Sequence, residues 1–387
     1  STGSLVDDRA FDSTTLEGDW TYRFNDRHLL SWGVELRDSS ADYRYAADVS
    51  ASLPIAIPAP LSPADPNFAA TTTFEGRHSA VYLSYRARPF AAVTTELGLR
   101  LDEQSHLDDR QVSPRFNVLL DVSERMRLRA SWGRYFQTQR LDELQINNGI
   151  TTFSPAQESE HYVLGIEYVL DDGTSVRLEA YRKEIEQLDS RNENLFARVS
   201  LLPELLPDRV VIAPLGGEST GLELSADGER GRWRWWASIV RARSYDLFAD
   251  TRAARSWEEP WSLKGGAIRT GDTWNLALTT TWHSGWPIST LALVDGELTA
   301  STYNAGRFGE FGSVDLKLSR NVELERSELE WYVSLTNVLA RDNPCCIDYE
   351  VGFDPSGEPA SLTVGRDNWL SIVPNVGVVW RFARLDP

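Results

Sequence analysis

The sequence predicts an all-β protein, a transmembrane antiparallel β-barrel. Apolar and polar residues alternate in about fifteen segments, which indicates strands with one apolar and one polar face. The connections between these segments are alternately short and long. Short turns at one end and long loops at the other are typical of β-barrels in membranes, whose strands are apolar outside and polar inside.

The stretch RMRLRASWGRYF, residues 125–136, shows the alternation most directly. One face of the predicted strand is apolar and consists of Met126, Leu128, Ala130 and Trp132. The other face is polar and consists of Arg125, Arg127, Arg129 and Ser131. Charge is costly in hydrocarbon and tolerated in a wet lumen, so we expect the first set to meet lipid and the second to line the interior.

The same alternation recurs along the chain. Its clearest examples are residues 161–170, 175–184, 219–228, 313–320, 328–337 and 374–382. Soluble β architectures are the alternative, but their strands commonly have about five or six residues. The predicted segments reach about ten residues, the length that a tilted strand needs to cross a bilayer. A propeller would also need a blade repeat, and none is visible.

The connections fall into two classes. Short turns are predicted near Asp26, Pro89, Glu124, Gly173, Gly231, Gly271 and Glu323. Long connections, richer in Pro, Gly and aromatic residues, are predicted at residues 41–72, 104–111, 137–156, 188–217, 246–256, 284–305 and 340–366. The best helical candidate is LLPELLP near residue 205, and its prolines keep it short.

Composition excludes several functions. The 387 residues carry a formal net charge of −18, which argues against nucleic acid as a partner. Mean hydropathy is −0.36, but alternating strands average out as hydrophilic, so this value is compatible with a membrane barrel. The sequence has no GxSxG, no P-loop and no HExxH motif. We therefore expect no catalytic residues, no cofactor and no metal.

A glutamate pair and one histidine are the polar residues that could suggest a chemical role. Glu258 and Glu259 are adjacent, so on a strand they would point apart, and a solvated loop pair is the simpler interpretation than an acid–base pair. His283, near Trp282 and Trp286, could contact a ligand, although a role in loop packing is the simpler interpretation.

Six segments resemble, in order, the C-terminal barrel of TonB-dependent outer-membrane receptors. They are VSPRFNVLLDVSERMRLRASWGRYFQTQRLDEL, SPAQESEHYVLGIEY, GGESTGLELSA, RFGEFGSVDLKLSR, YVSLTNVLARDN and PNVGVVWRF. Each segment alone is weakly specific, but the order is that of the family. Together they extend from about residue 110 to residue 382.

The resemblance implies a 22-stranded barrel around an N-terminal plug domain. No plug sequence is seen, so we expect residues 1–387 to be the C-terminal portion of such a barrel, with the strand near Trp20 about the eighth. About seven strands and the plug would then lie on another chain or have been removed. The family usually ends on an aromatic residue, whereas five residues follow Phe382 here.

The resemblance also implies a place in the bacterial outer membrane and energised import of a scarce solute. An iron–siderophore complex is the commonest class of solute; cobalamin, oligosaccharides and peptides are others. The implied partners are outer-membrane lipid and lipopolysaccharide, the missing barrel and plug segment, TonB through that plug, and a small-molecule or peptide ligand. The alternatives are a passive porin or a structural barrel subunit of a larger outer-membrane assembly, and thirdly a soluble β-rich enzyme.

Ligand contacts are expected on the outer loops and the upper inner wall, where aromatic residues are candidates. These are Tyr135, Phe136, Trp257, Trp261, Trp282, Trp286, Tyr303 and Phe308. For each of them the alternative is a place in the aromatic belt at the membrane interface. Arg127, Arg129 and Arg177 are expected to line a hydrated wall and not to bind an anionic ligand.

The only cysteines, Cys345 and Cys346, are adjacent in a predicted outer loop, which meets an oxidising compartment. We expect a disulfide between them that stiffens the loop. The alternative is two free thiols, because a ring between neighbours is strained. No basic residue stands nearby to lower a thiol pKa, so a redox centre is not expected.

Overall fold

The computed structural model describes residues 2–50, 55–196, 198–324 and 327–382. In this part of the chain fifteen strands pair in sequence order into one antiparallel sheet, here called the wall. The wall strands are β1 (Thr2–Asn25), β2 (His28–Ser50), β3 (Phe68–Phe90), β4 (Val93–Gln104), β5 (Asp109–Asp121), β6 (Met126–Gln137), β7 (Gln157–Val169), β8 (Ser175–Glu186), β9 (Gly216–Arg230), β10 (Trp233–Leu247), β11 (Trp261–Thr270), β12 (Trp274–His283), β13 (Phe311–Leu324), β14 (Ser327–Thr336) and β15 (Val373–Phe382).

The connections carry the remaining elements. Their strands are Ile55–Ala56, Ser62–Pro63, Arg191–Asn194, Arg209–Ile212, Arg252–Ala254, Pro287–Ile288, Leu291–Val294, Glu297–Ala300, Gly306–Arg307, Pro344–Phe353 and Pro359–Asn368. Their 3₁₀ helices are Leu141–Glu143, Ile146–Asn148 and Pro203–Leu205, the last at the predicted helical candidate. None of the helices in the described part of the chain is long and apolar enough to cross a membrane.

The predicted alternation of short and long connections is confirmed. Turns of two to five residues join the strands at one end of the wall, here called the turn end, and the longer connections meet at the other, the loop end. One predicted long connection is wrong, because only residues 105–108 separate β4 from β5. The turn predicted near Glu323 is displaced: β13 continues to Leu324, and residues 325–326 lie outside the described part of the chain.

Two other predicted connections contain more strand than expected. β2 and β3 continue to Ser50 and from Phe68, so residues 41–72 are mostly paired. The alternation of buried Tyr43 and Tyr45 with Arg44 is the signal of this extension. Residues 340–366 contain the hairpin strands Pro344–Phe353 and Pro359–Asn368, which pair with each other and not with the wall.

The two faces of the wall differ as the sequence predicts. On the outer face, aliphatic side chains stand opposite one another across six strands, in the row Leu128, Ile166, Leu178, Leu224, Ile239 and Leu263. On the inner face, Arg129 lies 3.9 Å from Glu167 and 3.6 Å from Glu179. Arg125 is the exception: it lies in the turn before β6, where it pairs with Asp171. Apolar groups therefore face outward, and charges pair inside.

Contacts between the long connections indicate that the wall curves. The connection after β2 pairs with the one after β8 through Ser62–Pro63 and Arg209–Ile212. It also pairs with the connection after β12 through Ile55–Ala56 and Glu297–Ala300. Strands that stand ten places apart in the sheet can share these loops only if the sheet bends round to bring their loop ends together.

The wall has two free edges within the described residues, β1 and β15. Both strands run from the loop end to the turn end, because the count between them is odd. Antiparallel pairing needs opposite directions, so these two edges cannot pair with each other in that way.

Candidate functional site

The long connections form a core of their own at the loop end. Its buried members come from three connections, and we call them the loop core: Leu61, Leu195, Phe196, Val210, Ile212, Leu291, Leu298, Ala300 and Tyr303. Tyr349 of the hairpin packs against the loop core. Its hydroxyl oxygen also accepts a hydrogen bond of 3.1 Å from the amide of Leu291. The connections are therefore held as one packed unit over the wall.

A second cluster holds the connection after β6 against the wall. Leu141, Leu144 and Ile146 are buried against Tyr43 and Tyr45 of β2. The hydroxyl of Tyr43 donates a hydrogen bond of 2.5 Å to the carbonyl oxygen of Leu141. The two 3₁₀ helices of this connection thus lie on the inner face of the extended part of the wall.

Tyr303, a predicted ligand residue, is buried in a polar network beneath these loops. Its hydroxyl donates to Glu193 Oε2 at 3.0 Å and lies 3.0 Å from Ser256 Oγ. Burial and the Glu193 carboxylate raise the pKa of Tyr303 to about 12. Arg191 bonds Glu193 at 2.6 Å on its other side. Tyr303 therefore orients Glu193 and is not itself free to meet a ligand.

Three of the predicted ligand aromatics, Trp257, Trp286 and Phe308, lie close together in the structure. The rings of Trp257 and Trp286 meet edge to face, with centroids 4.9 Å apart. Trp286 stacks on His283 at 4.8 Å, and its carbonyl oxygen accepts the amide hydrogen of Phe308 at 2.9 Å. His283 is buried between Trp286 and Phe311, which agrees with the loop-packing interpretation.

Trp257 stands at the rim of this group. Its side chain is half exposed, at 49%, and its backbone φ is +68°. A positive φ is uncommon for a residue other than glycine and costs free energy. The packed loops hold the indole in this position.

Trp261 and Trp282 lie on the opposite side of the wall. Trp282 pairs in register with Leu263, and Trp261 is two residues before Leu263, so all three share the outer face. The guanidinium of Arg241 lies 5.1 Å from the Trp261 ring centroid, and Trp282 Nε1 donates to Glu310 at 3.2 Å. Both rings therefore lie where the aromatic belt at the membrane interface is expected, on the side of the wall that faces away from the cavities.

Tyr135 and Phe136 border the inner wall. Tyr135 faces inward, with the Arg115 guanidinium 4.7 Å from its ring centroid and His161 beside it. Phe136 borders a cavity of about 330 Å³, here called the wall cavity, between β1–β6 and the connection after β6.

The wall cavity contains a charged cluster that the sequence did not single out. His78 Nε2 lies 3.0 Å from Asp102, and His78 Nδ1 lies 3.6 Å from Glu35. Arg100 bridges the same two carboxylates at 2.9 Å and 3.2 Å. These residues come from three strands, so no local motif joins them. The signal in the sequence that could have indicated this cluster is the row of charged residues at alternate, inward-facing positions of β2 and β4.

A second cavity, of about 360 Å³, lies among the connections after β6, β8 and β10, and we call it the amide cavity. Five carboxamides border it: Gln145, Asn147, Asn148, Asn192 and Asn194. Four charged side chains and two other residues complete its lining: Glu193, Glu204, Arg198, Arg209, Pro203 and Trp257. Apart from Trp257, none of these was predicted, because a run of Asn and Gln in loops carries no motif.

Two arginines of the amide cavity are bound mainly by neutral groups. Arg209 donates to Asn194 at 3.1 Å and to Asn148 at 2.6 Å, while Glu204 lies 4.0 Å away. Arg198 donates to the carbonyl oxygen of Pro287 at 2.6 Å. Burial lowers the pKa of both guanidinium groups. Even so, arginine stays charged at any physiological pH.

The two cysteines lie at a bulge in the hairpin. Pro344 is opposite Asn368 and Cys346 is opposite Asp367, so Cys345 is the extra residue. Both thiols are free and half-buried. Burial, followed by the neighbouring Cys345 thiol, raises the pKa of Cys346 to about 12. Among the described residues, no group of three or more His, Cys, Asp or Glu side chains is placed to hold a metal ion.

The family described as TonB dependent receptor-like, beta-barrel matches residues 1–338, from β1 to just beyond β14. The chain belongs to this family. The receptor-barrel interpretation of the sequence is thereby confirmed, and the match begins well before the first motif that carried the resemblance. Barrels of this family lie in the bacterial outer membrane and are transporters, not enzymes. The outer face of the wall accordingly meets lipid, and the loop end lies outside the cell.

Solved receptors share the fold of this barrel at low sequence identity. The ferric citrate transporter FecA, unliganded, is 13% identical with a TM-score of 0.61, over 98% of this chain and 56% of that one. A mutant of the ferric enterobactin receptor PfeA from Pseudomonas aeruginosa is 12% identical with a TM-score of 0.61, over 96% and 54%. The siderophore receptor PirA from Acinetobacter baumannii is 11% identical with a TM-score of 0.58, over 86% and 51%.

The receptor barrel thus spans about half of the length of the solved receptors that it matches. No curated protein matches its sequence.

Proposed function

We propose that this barrel is the C-terminal portion of an outer-membrane receptor that imports a scarce solute, an iron–siderophore complex, with energy from TonB. Membership of the receptor family supports the transport role. The names of similar solved proteins, a ferric citrate transporter and a ferric enterobactin receptor, support iron as the cargo. The partners are a plug and further strands, TonB acting through that plug, the surrounding lipid and lipopolysaccharide, and the solute.

The observation that carries the proposal is the packed unit of long connections. The loop core joins three connections into one structure at the outer end of a charged inner wall. Loops ordered in this way present fixed side chains to a ligand, as a receptor requires. Trp257, Trp286 and Phe308 are its candidate ligand aromatics, with Tyr135 and Phe136 on the wall below.

Uptake in cells tests the proposal. A deletion strain is supplied with the gene for the whole protein and given ⁵⁵Fe-loaded siderophores, in the presence and absence of TonB. We expect uptake that needs both the receptor and TonB. Uptake that persists without TonB would favour the alternative of a passive porin. A barrel that co-purifies with an assembly and supports no uptake would favour the alternative of a structural subunit.

A further inference from the structure

The amide cavity differs in chemistry from the rest of the loop end. Among the residues that the structure describes, its lining combines five carboxamides with two arginines, two glutamates, Pro203 and Trp257, and the proline ring is the only aliphatic side chain. We propose that this cavity binds a neutral, hydroxyl-rich ligand of the saccharide class. The inference rests on the proposed function only in placing these loops on the outer surface of the cell.

The charges of the lining favour a neutral ligand. An oxyanion entering the cavity would meet the carboxylates of Glu193 and Glu204, and a cation would meet Arg198 and Arg209. The formal charges of these four groups cancel. A neutral ligand pays no net electrostatic cost, whereas a ferric complex of high negative charge gains no net attraction here.

Hydrogen-bonding groups that the protein leaves unused favour hydroxyls. Asn192 makes no side-chain hydrogen bond to any residue that the structure describes. Within the described ranges, Asn147 makes a side-chain hydrogen bond only through Nδ2, which donates to Glu204 at 2.9 Å. Gln145 makes one there only through Oε1, which accepts from Asn148 at 2.6 Å. Free donors and free acceptors therefore stand side by side. A hydroxyl both donates and accepts, so a ring that carries several hydroxyls can satisfy this mixture.

Trp257 supplies the apolar surface that such a ligand also needs. One side of a sugar ring presents C–H groups, and a flat indole face can cover them while the hydroxyls reach the amides. The Trp257 side chain is half exposed at the cavity, and the edge contact with Trp286 fixes its orientation.

The polar lining is already held in place without a ligand. Arg209 is bonded to both Asn148 and Asn194. Glu193 is bonded to Arg191, and Tyr303 donates to it from below. A preformed site loses less conformational entropy on binding than a mobile loop would.

The test is ligand-observed NMR on the protein purified from the outer membrane, with whatever segments accompany residues 1–387 in the cell. The probes are the neutral disaccharides maltose, lactose, cellobiose and sucrose. The delipidated core oligosaccharide of lipopolysaccharide is a second source of the same chemistry, and ferric citrate is the anionic comparison. The variants are Asn192→Leu and Trp257→Ala. The matched control is Trp261→Phe, on the outer face of the wall.

We expect saturation transfer to at least one neutral saccharide. Its affinity should fall about tenfold or more in both variants and stay unchanged in the control. A tenfold change corresponds to about 1.4 kcal/mol, a moderate loss for a polar or stacking contact. Binding of the core oligosaccharide alone also supports the inference and identifies the membrane as the source. Absence of transfer from every saccharide overturns it, as does binding that survives both substitutions, or cavity-dependent binding of ferric citrate alone.

This outcome is separate from that of the uptake experiment. A protein that binds saccharide but imports no iron contradicts the proposed cargo and leaves the amide cavity assigned. A protein that imports a ferric siderophore through TonB but binds no saccharide contradicts only the inference drawn here.

Discussion

Arg191 donates a hydrogen bond of 2.6 Å to Asp246, although the two residues lie in different parts of the chain. Arg191 belongs to the connection after β8, and Asp246 is the last residue but one of the wall strand β10. The Asp246 side chain is fully buried, and Arg255 lies 3.2 Å from the same carboxylate. One buried charge between two guanidinium groups therefore fastens the outer loops to the wall.

Asp246→Ala should loosen these loops without unfolding the wall. It leaves two arginines near each other without their carboxylate, and breaking a buried pair in this way costs about 3–5 kcal/mol. We expect amide hydrogen exchange over residues 191–212 to accelerate while that of β9 and β10 stays slow. The control is Asp250→Ala, an exposed residue of the connection that follows β10. Equal exchange in both variants would show that Asp246 does not hold the loops.

Leu128→Arg should impair barrel assembly far more than Arg127→Leu. Leu128 stands in the aliphatic row of the outer face, and a charge on the lipid face is destabilising, by up to about 2–4 kcal/mol at the middle of the bilayer. Arg127 is on the inner face, 3.0 Å from Asp121, so its loss changes only the wet wall. Heat-modifiable mobility in gels reports assembly. Equal effects, or the reverse order, would contradict the assignment of the two faces.

Residues 1–387 expressed alone should not form a sealed barrel. β1 and β15 run in the same direction, so the two edges of the wall cannot close on each other by antiparallel pairing. Unpaired backbone groups in lipid cost several kcal/mol each, so further strands are needed. We expect rapid hydrogen exchange along β1 and β15 in detergent. Slow exchange along both edges of a monomer would refute the strand count.

Cys345 and Cys346 are predicted to form a disulfide in protein taken from the outer membrane. The thiols are free in the structure, but the bulge at Cys345 interrupts the alternation that would otherwise send neighbouring side chains to opposite faces. The raised pKa of Cys346 leaves its thiol protonated at neutral pH, so oxidation should be slow there and faster as pH rises. Intact mass should show a loss of two hydrogens. Two thiols that alkylate without prior reduction would disprove the bridge.

Local patterns predicted the wall well. Strand positions, the two faces and the order of turns follow from alternation, because every membrane strand must separate lipid from water residue by residue. The predictions failed where pairing continued beyond the membrane. β2 and β3 are long because Tyr43 and Tyr45 pack on Leu141 and Leu144 of another connection, and no local signal announces that partner.

The candidate site was predicted only in part. The sequence marks Trp257, Trp261 and Trp282 equally as aromatic residues near the loop end. Which of them faces lipid and which faces the loops depends on where each strand begins and on its register, and residue type does not reveal either. Tyr303 is buried, and its hydroxyl is hydrogen-bonded to Glu193 and Ser256. Both partners are far from Tyr303 in the sequence, so the sequence alone did not indicate these contacts.

The sequence by itself determined that this protein is a membrane barrel of the receptor family, because the bilayer imposes one repeated rule on every strand. Only the tertiary structure decided which loops meet. The loop core, the Arg191–Asp246 bond and the amide cavity each join residues from separate connections, and the curvature of the wall brings those connections together. Contacts of that kind depend on the shape of the whole sheet. They produce no periodic pattern of apolar and polar residues, so the sequence alone could not predict them.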